Sequence, residues 1–405
     1  MAVGVRALNR SASVTVPATP SASPPPQSVP ATASSPPPPP ATPVPFPLEW
    51  VLANASAPIQ YRGVVDVARL TEQVGGDFAN LPLTYRPALM LAATQSADGT
   101  WNRAMLSMPS ARAEHFEGVG TINACRRLLE YGWHRDTPTL LHARRPLFRL
   151  LAEDEDVGQL FELAGRGAMD EDLVRRGRTI LREAAAAALA QAGYEDDPRL
   201  RGAARRILSR ITEYVRSPLA EKPWVRVGNQ HVLAADAAPP SIYALAMLAH
   251  MPLFRTEYHD EMDRVYDTVA QPLPRQEAAQ AVGRHVVEQP HLVLGDMLPS
   301  RNTADADLPW ALMWLELMAR LGFLRRNEGW SRLYDRLVDS ADPRGVWRPP
   351  KGATPGKGTA LRGANPFTWH MFPLDAARTA DGGSPDVTFR LGLIARLSGR
   401  PVDLR

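Results

Sequence analysis

The chain of 405 residues has almost no cysteine and no long apolar run. Cys125 is its single cysteine, so an internal disulfide and a thiolate metal cluster are both excluded. A membrane-spanning helix needs about 20 uninterrupted apolar residues. The longest apolar stretch here, residues 232–254, is broken by Asp236, three prolines and His250. The N-terminus also lacks the apolar run of a secretion signal. We therefore predict no membrane partner and a cytoplasmic protein.

Lysine is scarce as well, because only three of the 46 basic residues are lysines. A pI of about 9.1 is typical of nucleic-acid-binding proteins, but the distribution of charge argues against that function. Residues 1–47 contain Arg6, Arg10 and no acid, so the rest of the chain has 44 basic and 43 acidic residues. A balanced body lacks the broad positive surface that phosphate backbones require. We predict no nucleic-acid partner.

Proline is concentrated at the N-terminus, where residues 1–47 hold 14 of the 39 prolines. The segment is otherwise rich in serine, alanine and threonine, and it includes the unbroken run Pro36–Pro40. Such a composition cannot offset the entropy of ordering, and proline favours the extended polyproline II conformation. We predict a disordered arm over residues 1–47 and a folded domain over 48–405. The arm would act as a tether, or its PxxP spacings would dock a protein partner.

Helical periodicity dominates the remainder of the chain. Apolar residues recur at three- and four-residue steps over 173–192, and Gly193 ends the run. Asp197 and Pro198 then suit the cap and first position of another helix, which predicts a helical hairpin. Residues 308–323 are apolar almost all round and must be buried. Only residues 224–232 suggest a β-hairpin, so the predicted fold class is all-α. Further helices are predicted near 119–131, 137–152, 240–250, 255–270, 275–288, 328–340 and 384–397.

Residues 95–101 carry a Gln-xxx-Gly-x-Trp pattern, which ends at Trp101. It resembles the repeat of the α/α toroids of squalene cyclases and protein prenyltransferases. A second Gly-x-Trp ends at Trp347, with Ala341 in place of the glutamine. The resemblance implies helical hairpins in a double-layered α/α toroid over residues 48–400. An open helical-repeat solenoid is the alternative, and a purely structural role of the glycine turns and tryptophans is another.

The catalytic motifs of those families are missing. The cyclases use an Asp-x-Asp-Asp acid, whereas residues 305–308 read Asp-Ala-Asp-Leu. The prenyltransferases hold zinc with Asp, Cys and His, and Cys125 has no evident set of such partners in the sequence. We predict neither a metal nor a cofactor.

Two regions combine residues suited to a site. The first, residues 113–123, places His115, Glu117 and Asn123 beside two glycines at the start of a helix. An imidazole and a carboxylate there could perform acid–base chemistry, although a capped helix entrance explains the same residues.

The second region, residues 343–374, contains no acid and interleaves basic and aromatic side chains. Aromatic rings and arginines suit a saccharide or another anionic ligand. A surface loop anchored by its tryptophans is the alternative. The residues concerned include Arg348, Arg362 and His370, with Trp347 and Trp369.

Two functions follow from these features. The first is a helical scaffold or ligand-binding protein, tethered by the arm, whose ligand is a small molecule or saccharide. The second is an α/α-toroid enzyme, lyase- or cyclase-like, acting on a carbohydrate or isoprenoid. It would use His115, Glu117 or His370 in catalysis. The predicted ligand-binding residues are Trp101, Asn123, Trp347, Arg348, Arg362 and Trp369.

Overall fold

Most of the chain folds into α-helices in the computed structural model, which describes residues 42–73, 76–109, 116–152, 171–298, 308–348, 367–371, 373–375 and 383–405. The predicted arm lies outside these residues up to position 41. The helices are α1 (Leu48–Asn54), α2 (Ala57–Arg62), α3 (Gly76–Ala79), α4 (Arg86–Ala93), α5 (Thr121–Glu130), α6 (Pro138–Leu151), α7 (Glu171–Gln191), α8 (Pro198–Arg216), α9 (Pro218–Glu221), α10 (Ile242–Ala249), α11 (Pro252–Glu257), α12 (His259–Val269), α13 (Leu308–Arg320), α14 (Glu328–Asp339) and α15 (Ser384–Leu397).

The helical hairpin predicted over 173–215 is confirmed as α7 and α8. Gly193 adopts a φ of +81° after α7, a conformation that glycine reaches without steric cost. The Asp197 side chain accepts a hydrogen bond from the backbone N–H of Arg199, and Pro198 occupies the first turn of α8. The buried residues of α8 recur with helical spacing, and they pack this helix against α7.

Five helices form the buried interior of the described structure. Nearly every residue of α5, α10, α13 and α15 is buried, as is the C-terminal half of α7. Contacts join α5 to α7, α7 to α10, α10 to α13, and α13 to α15. The amphipathic helices α6, α8 and α14 pack on this group with their apolar faces, and α12 packs on α8. Burial of α13 on all sides agrees with its uniformly apolar sequence.

Small sheets correct the all-α prediction, so the fold is mostly helical. Strands β2 (Trp224–Val227) and β3 (Gln230–Leu233) form the expected hairpin. The helix predicted over 275–288 is wrong, because β4 (Ala279–Val282) and β5 (His285–Glu288) form a second hairpin there. In both hairpins a glycine with positive φ, Gly228 or Gly283, opens the two-residue turn. The four strands make one sheet in the order β2-β3-β4-β5.

The two ends of the described chain pair in a separate parallel sheet. Strand β1 (Val44–Phe46) lies beside β6 (Val402–Leu404), although sequence analysis placed residues 44–46 in the arm. Phe46 is fully buried, and a Cβ at Gly392 would lie only 2.5 Å from its ring. The short apolar stretch therefore belongs to the core of the folded domain. Its alternating prolines make the stretch resemble the proline-rich arm in sequence. Proline is nevertheless tolerated in strands at sheet edges.

None of the described helices is long and apolar enough to cross a membrane.

Replacing Phe46 by alanine is expected to lower the free energy of unfolding by about 3–5 kcal/mol, because a large buried ring leaves a cavity. The control, Leu404→Ala, removes a side chain that is 38% exposed and should cost about 0.5 kcal/mol or less. Urea denaturation of the full chain measures both values. Equal effects of the two substitutions would contradict the assignment of β1 to the core.

Candidate functional site

A buried network of charged side chains connects the interior helices. Glu130 at the end of α5 accepts hydrogen bonds from Arg62 of α2 and Arg390 of α15, each at 2.7 Å. Arg390 also donates to Glu316 of α13 at 2.7 Å, and its side chain is completely buried. One guanidinium therefore joins three helices.

The carboxylates of this network are fully engaged. The second oxygen of Glu130 accepts from Gln191 at 2.9 Å, and that of Glu316 accepts twice from Arg320 at 2.9 and 3.0 Å. Burial would raise the pKa of Glu130, but Arg62 and Arg390 outweigh it and hold that pKa well below its usual range. Both carboxylates are therefore ionised and committed to other partners.

Arg126 lies one helical turn before Glu130 and has fewer partners. Its Nε donates to Gln191 Oε1 at 2.9 Å, while its two terminal nitrogens have no hydrogen-bond partner within the described residues. The residue is only 8% exposed. Burial lowers the pKa of Arg126 even though Glu130 and Glu316 raise it, so its charge is incompletely compensated. Neither terminal nitrogen is among the fully enclosed unpaired atoms, and Arg126 borders a cavity.

A cavity of about 40 Å³ adjoins this guanidinium, which is room for a few water-sized groups. Its wall combines a charged side with an apolar side. Helices α5, α10 and α13 and the segment 367–371 contribute the lining residues Arg126, Glu130, Ile242, Ala246, His250, Met313, Glu316, Leu317, Arg320, Phe367, His370 and Met371.

Two of the lining residues are histidines held in the neutral form. Burial and the nearby Arg126 lower the pKa of His370 well below its usual value, against an opposing effect of Glu130. Burial and Arg320 lower the pKa of His250 in the same way. A neutral imidazole carries one donor and one acceptor nitrogen, and both rings belong to residues that line the cavity.

The segment 367–371 is fixed against these helices by its aromatic rings and backbone. Trp369 lies with its ring centroid 5.0 Å from the Arg127 guanidinium carbon and 6.3 Å from the Phe116 ring. Arg127 donates to the carbonyl of Trp369, and Arg390 donates to the carbonyl of Met371 at 3.0 Å. The buried network thus positions His370 at the cavity.

Of the predicted site residues, His370 lines the cavity and Trp369 lies next to it in the chain. Three others are buried in structural contacts away from the lining. Asn123 donates to the carbonyls of Leu106 and Ser107. The other two are Trp101 and Trp347.

The two Gly-x-Trp turns share one local structure. Gly99 and Gly345 have φ values of +85° and +93°. A Cβ on either would lie 2.6 Å or less from a backbone carbonyl oxygen. The backbone N–H groups of Trp101 and Trp347 then donate to Thr121 of α5 and Thr388 of α15 at 3.1 and 3.0 Å. Both tryptophans are at most 3% exposed, so the turns anchor these helices.

Two predicted residues are exposed and two cannot be placed. Glu117 is exposed on a turn, and Arg348 is exposed with its Nε 3.6 Å from Asp342. His115 and Arg362 lie outside the described residues.

Sequence reasoning missed most of the cavity wall. Arg126, Glu130 and Glu316 occur within strongly helical segments, where charges usually indicate a solvated face. A signal was present in α13, since Glu316 is the one acid inside an otherwise apolar helix that has to be buried. A buried acid requires a cationic partner, which the sequence could not identify.

Comparison of this chain with models of protein families, with curated proteins and with solved structures gives no match.

Replacing Glu130 by glutamine is expected to destabilise the protein by about 3–5 kcal/mol, because Arg62 and Arg390 lose a shared buried carboxylate. The matched control is Glu328→Gln, which removes an exposed pair with Arg332 and should cost about 1 kcal/mol or less. Urea denaturation near neutral pH compares the two. A loss below about 1 kcal/mol for Glu130→Gln would show that the network does not support the fold.

The free energy of unfolding should fall as the pH drops below about 6.5, the ordinary histidine value. The folded-state pKa of His370 is lowered, so the unfolded chain takes up a proton that the folded chain excludes. His370→Gln removes this contribution. The slope of the free energy of unfolding against pH should therefore decrease by up to about 1.4 kcal/mol per pH unit. Denaturation at several pH values tests this, and an unchanged slope in the variant would contradict a neutral, buried His370.

Proposed function

We propose that this protein binds a small anionic molecule in the cavity beside Arg126. The observation that carries the proposal is Arg126, a residue only 8% exposed whose two terminal nitrogens have no hydrogen-bond partner within the described structure. A carboxylate or phosphate would accept two parallel hydrogen bonds from these nitrogens. The ligand would supply the negative charge that no protein carboxylate provides to Arg126.

The existing carboxylates cannot take this role without breaking other pairs. Glu130 is shared by Arg62, Arg390 and Gln191, and Glu316 by Arg320 and Arg390. Moving either carboxylate to Arg126 would leave another buried guanidinium unpaired, at a cost of several kcal/mol. An anion from solution satisfies Arg126 without that cost.

The opposite side of the cavity favours a ligand with an apolar part. Ile242, Ala246, Met313, Leu317 and Met371 offer hydrocarbon and thioether surface. Methionine adapts to differently shaped ligands because its side chain is flexible and polarisable. A compact molecule with an anionic head and a small apolar body matches both sides of the wall.

The contacts among the interior helices support the proposal that the helices form a closed α/α toroid around the cavity. The five interior helices contact one another in chain order, and the Arg390–Glu130 pair connects the last of them to the first. The cavity lies among three of these helices, the position where ligands bind within helical bundles. The second, amphipathic set of helices would form the outer layer.

An enzyme acting on such a ligand is a second candidate function. The observation in its favour is a neutral imidazole, His370, in the same cavity as Arg126. His370 would remove a proton as a base, and Arg126 would stabilise the negative charge that develops on the substrate. The predicted carbohydrate or isoprenoid substrates stay hypotheses, as does protein docking through the arm.

Isothermal titration of the full chain with two small anions, acetate and methyl phosphate, tests the binding function. At least one of these anions should bind at a single saturable site and raise the melting temperature. Arg126→Gln should weaken binding about 10- to 100-fold, because charge-assisted hydrogen bonds are lost. Arg332→Gln, an exposed change of the same charge, should leave the affinity unchanged. Equal affinities in both variants would contradict the assignment of Arg126.

A further inference from the structure

We infer that a proton held by Asp386 controls how firmly the part of the cavity wall that carries His370 is attached to α15. This part, the wall segment, consists of residues 367–371 and 373–375. Such regulation rests on the proposed function, because the cavity is the anion site proposed above. The attachment itself is a property of the protein that can be measured without a ligand.

Asp386 binds the backbone of the wall segment directly from the first turn of α15. Its two carboxylate oxygens accept hydrogen bonds from the N–H groups of Leu374 at 2.9 Å and of Asp375 at 3.3 Å. One helical turn later, Arg390 donates to the carbonyl of Met371 at 3.0 Å. Helix α15 therefore holds the wall segment at two places, and His370 directly precedes the first of them in the chain.

A second buried carboxylate belongs to the same attachment. Asp375 accepts a hydrogen bond from the backbone N–H of Ser56 at 3.3 Å, and the Ser56 hydroxyl donates to the carbonyl of Leu374 at 2.9 Å. Asp375 is 8% exposed and Asp386 only 2%. The attachment thus brings two carboxylates into one buried site, where like charges disfavour ionisation of both.

No ion pair compensates the charge of Asp386 among the residues that the structure describes. Arg390, one turn away, directs its hydrogen bonds to the two buried glutamates and to the wall segment. Burial raises the pKa of Asp386 to about 6, and Asp375 acts in the same direction, against the opposing effects of a backbone N–H and Arg390. The folded protein therefore stabilises the charge of Asp386 less than water does.

The other ionisable groups described around Asp386 do not neutralise it. Tyr85 beside α4 and Tyr131 beside α5 face Asp386, and burial raises the pKa of both phenols, so they stay neutral. Arg127 of α5 donates to the Tyr131 hydroxyl and to the carbonyl of Pro373, each at 2.8 Å. The charge of Asp386 is therefore removed when its carboxylate takes up a proton.

This proton favours the attached state of the wall segment. When the segment detaches, water reaches Asp386 and its pKa returns towards the ordinary value of about 3.9. The attached state therefore binds the proton more tightly, and attachment strengthens as the pH falls through about 6. His370 acts in the opposite direction, because its pKa is lowered in the folded protein. The contribution of Asp386 is therefore measured as a difference from a variant that keeps His370.

Amide hydrogen exchange of the full chain, followed by mass spectrometry in peptides covering residues 367–375, measures the attachment. In Asp386→Asn the side-chain oxygen still accepts an N–H bond, but the residue cannot change its charge. The protection of the wild type relative to this variant should fall about tenfold between about pH 5 and about pH 7.5, because the attached state loses its proton. Asp260→Asn, which changes a 71% exposed side chain, should keep a constant ratio to the wild type.

A ratio of wild type to Asp386→Asn that stays constant, or that rises with pH, overturns the role of Asp386. No anionic ligand is present in this measurement, so either result leaves the proposed binding function standing. If the ratio falls as expected but neither acetate nor methyl phosphate binds the wild type, the proposed function is overturned and the proton-dependent attachment remains.

A measurement on the wild-type protein covers the case in which Asp386→Asn does not fold. The carboxyl carbon of Asp386, observed by NMR of protein labelled at aspartate, should titrate with a midpoint near 6. The amide proton of Leu374 should shift with the same midpoint, because it bonds to this carboxylate. A midpoint at the ordinary value of about 3.9 or below overturns the inference.

Discussion

The contact of Arg390 with Glu130 and Glu316 is the interaction on which the rest of the structure depends. It joins α15, α5 and α13 through hydrogen bonds of 2.7 Å, and the Arg390 side chain is completely buried. Ions in such a place are tolerated only when each is paired and hydrogen-bonded. The requirement fixes the positions of the three helices, and Arg390 also holds the carbonyl of Met371. The segment that carries His370 is therefore part of the same rigid arrangement.

The network explains why Arg126 has no carboxylate partner. The neighbouring carboxylates are already paired with three arginines, so a fourth arginine, Arg126, has only Gln191 to bond with. The protein thus maintains a buried positive charge beside a cavity lined on its other side by apolar residues. Unfavourable buried groups of this kind concentrate at functional sites, where a ligand supplies what the fold does not. The two neutral histidines stand in the same cavity wall.

The sequence predicted those features that local physical rules determine. Helical periodicity, the Asp197 cap and the glycine after α7 identified the α7–α8 hairpin, and the apolar surface of α13 predicted its burial. The second β-hairpin was missed because residues 275–288 can satisfy a helical spacing, whereas pairing between strands depends on distant chain segments. His370 was found because it stands in a basic and aromatic segment. Arg126 and Glu316 were not, since pairing between α5, α13 and α15 is tertiary and leaves no short motif.

A crystal structure of the full chain with acetate tests the central claim most directly. The account predicts carboxylate oxygens about 2.7–2.9 Å from both terminal nitrogens of Arg126. Glu130 and Glu316 should keep their bonds to Arg390. An acetate bound elsewhere, or an Arg126 paired with a protein carboxylate in an otherwise unchanged fold, would contradict the claim that this guanidinium is built to receive an anion.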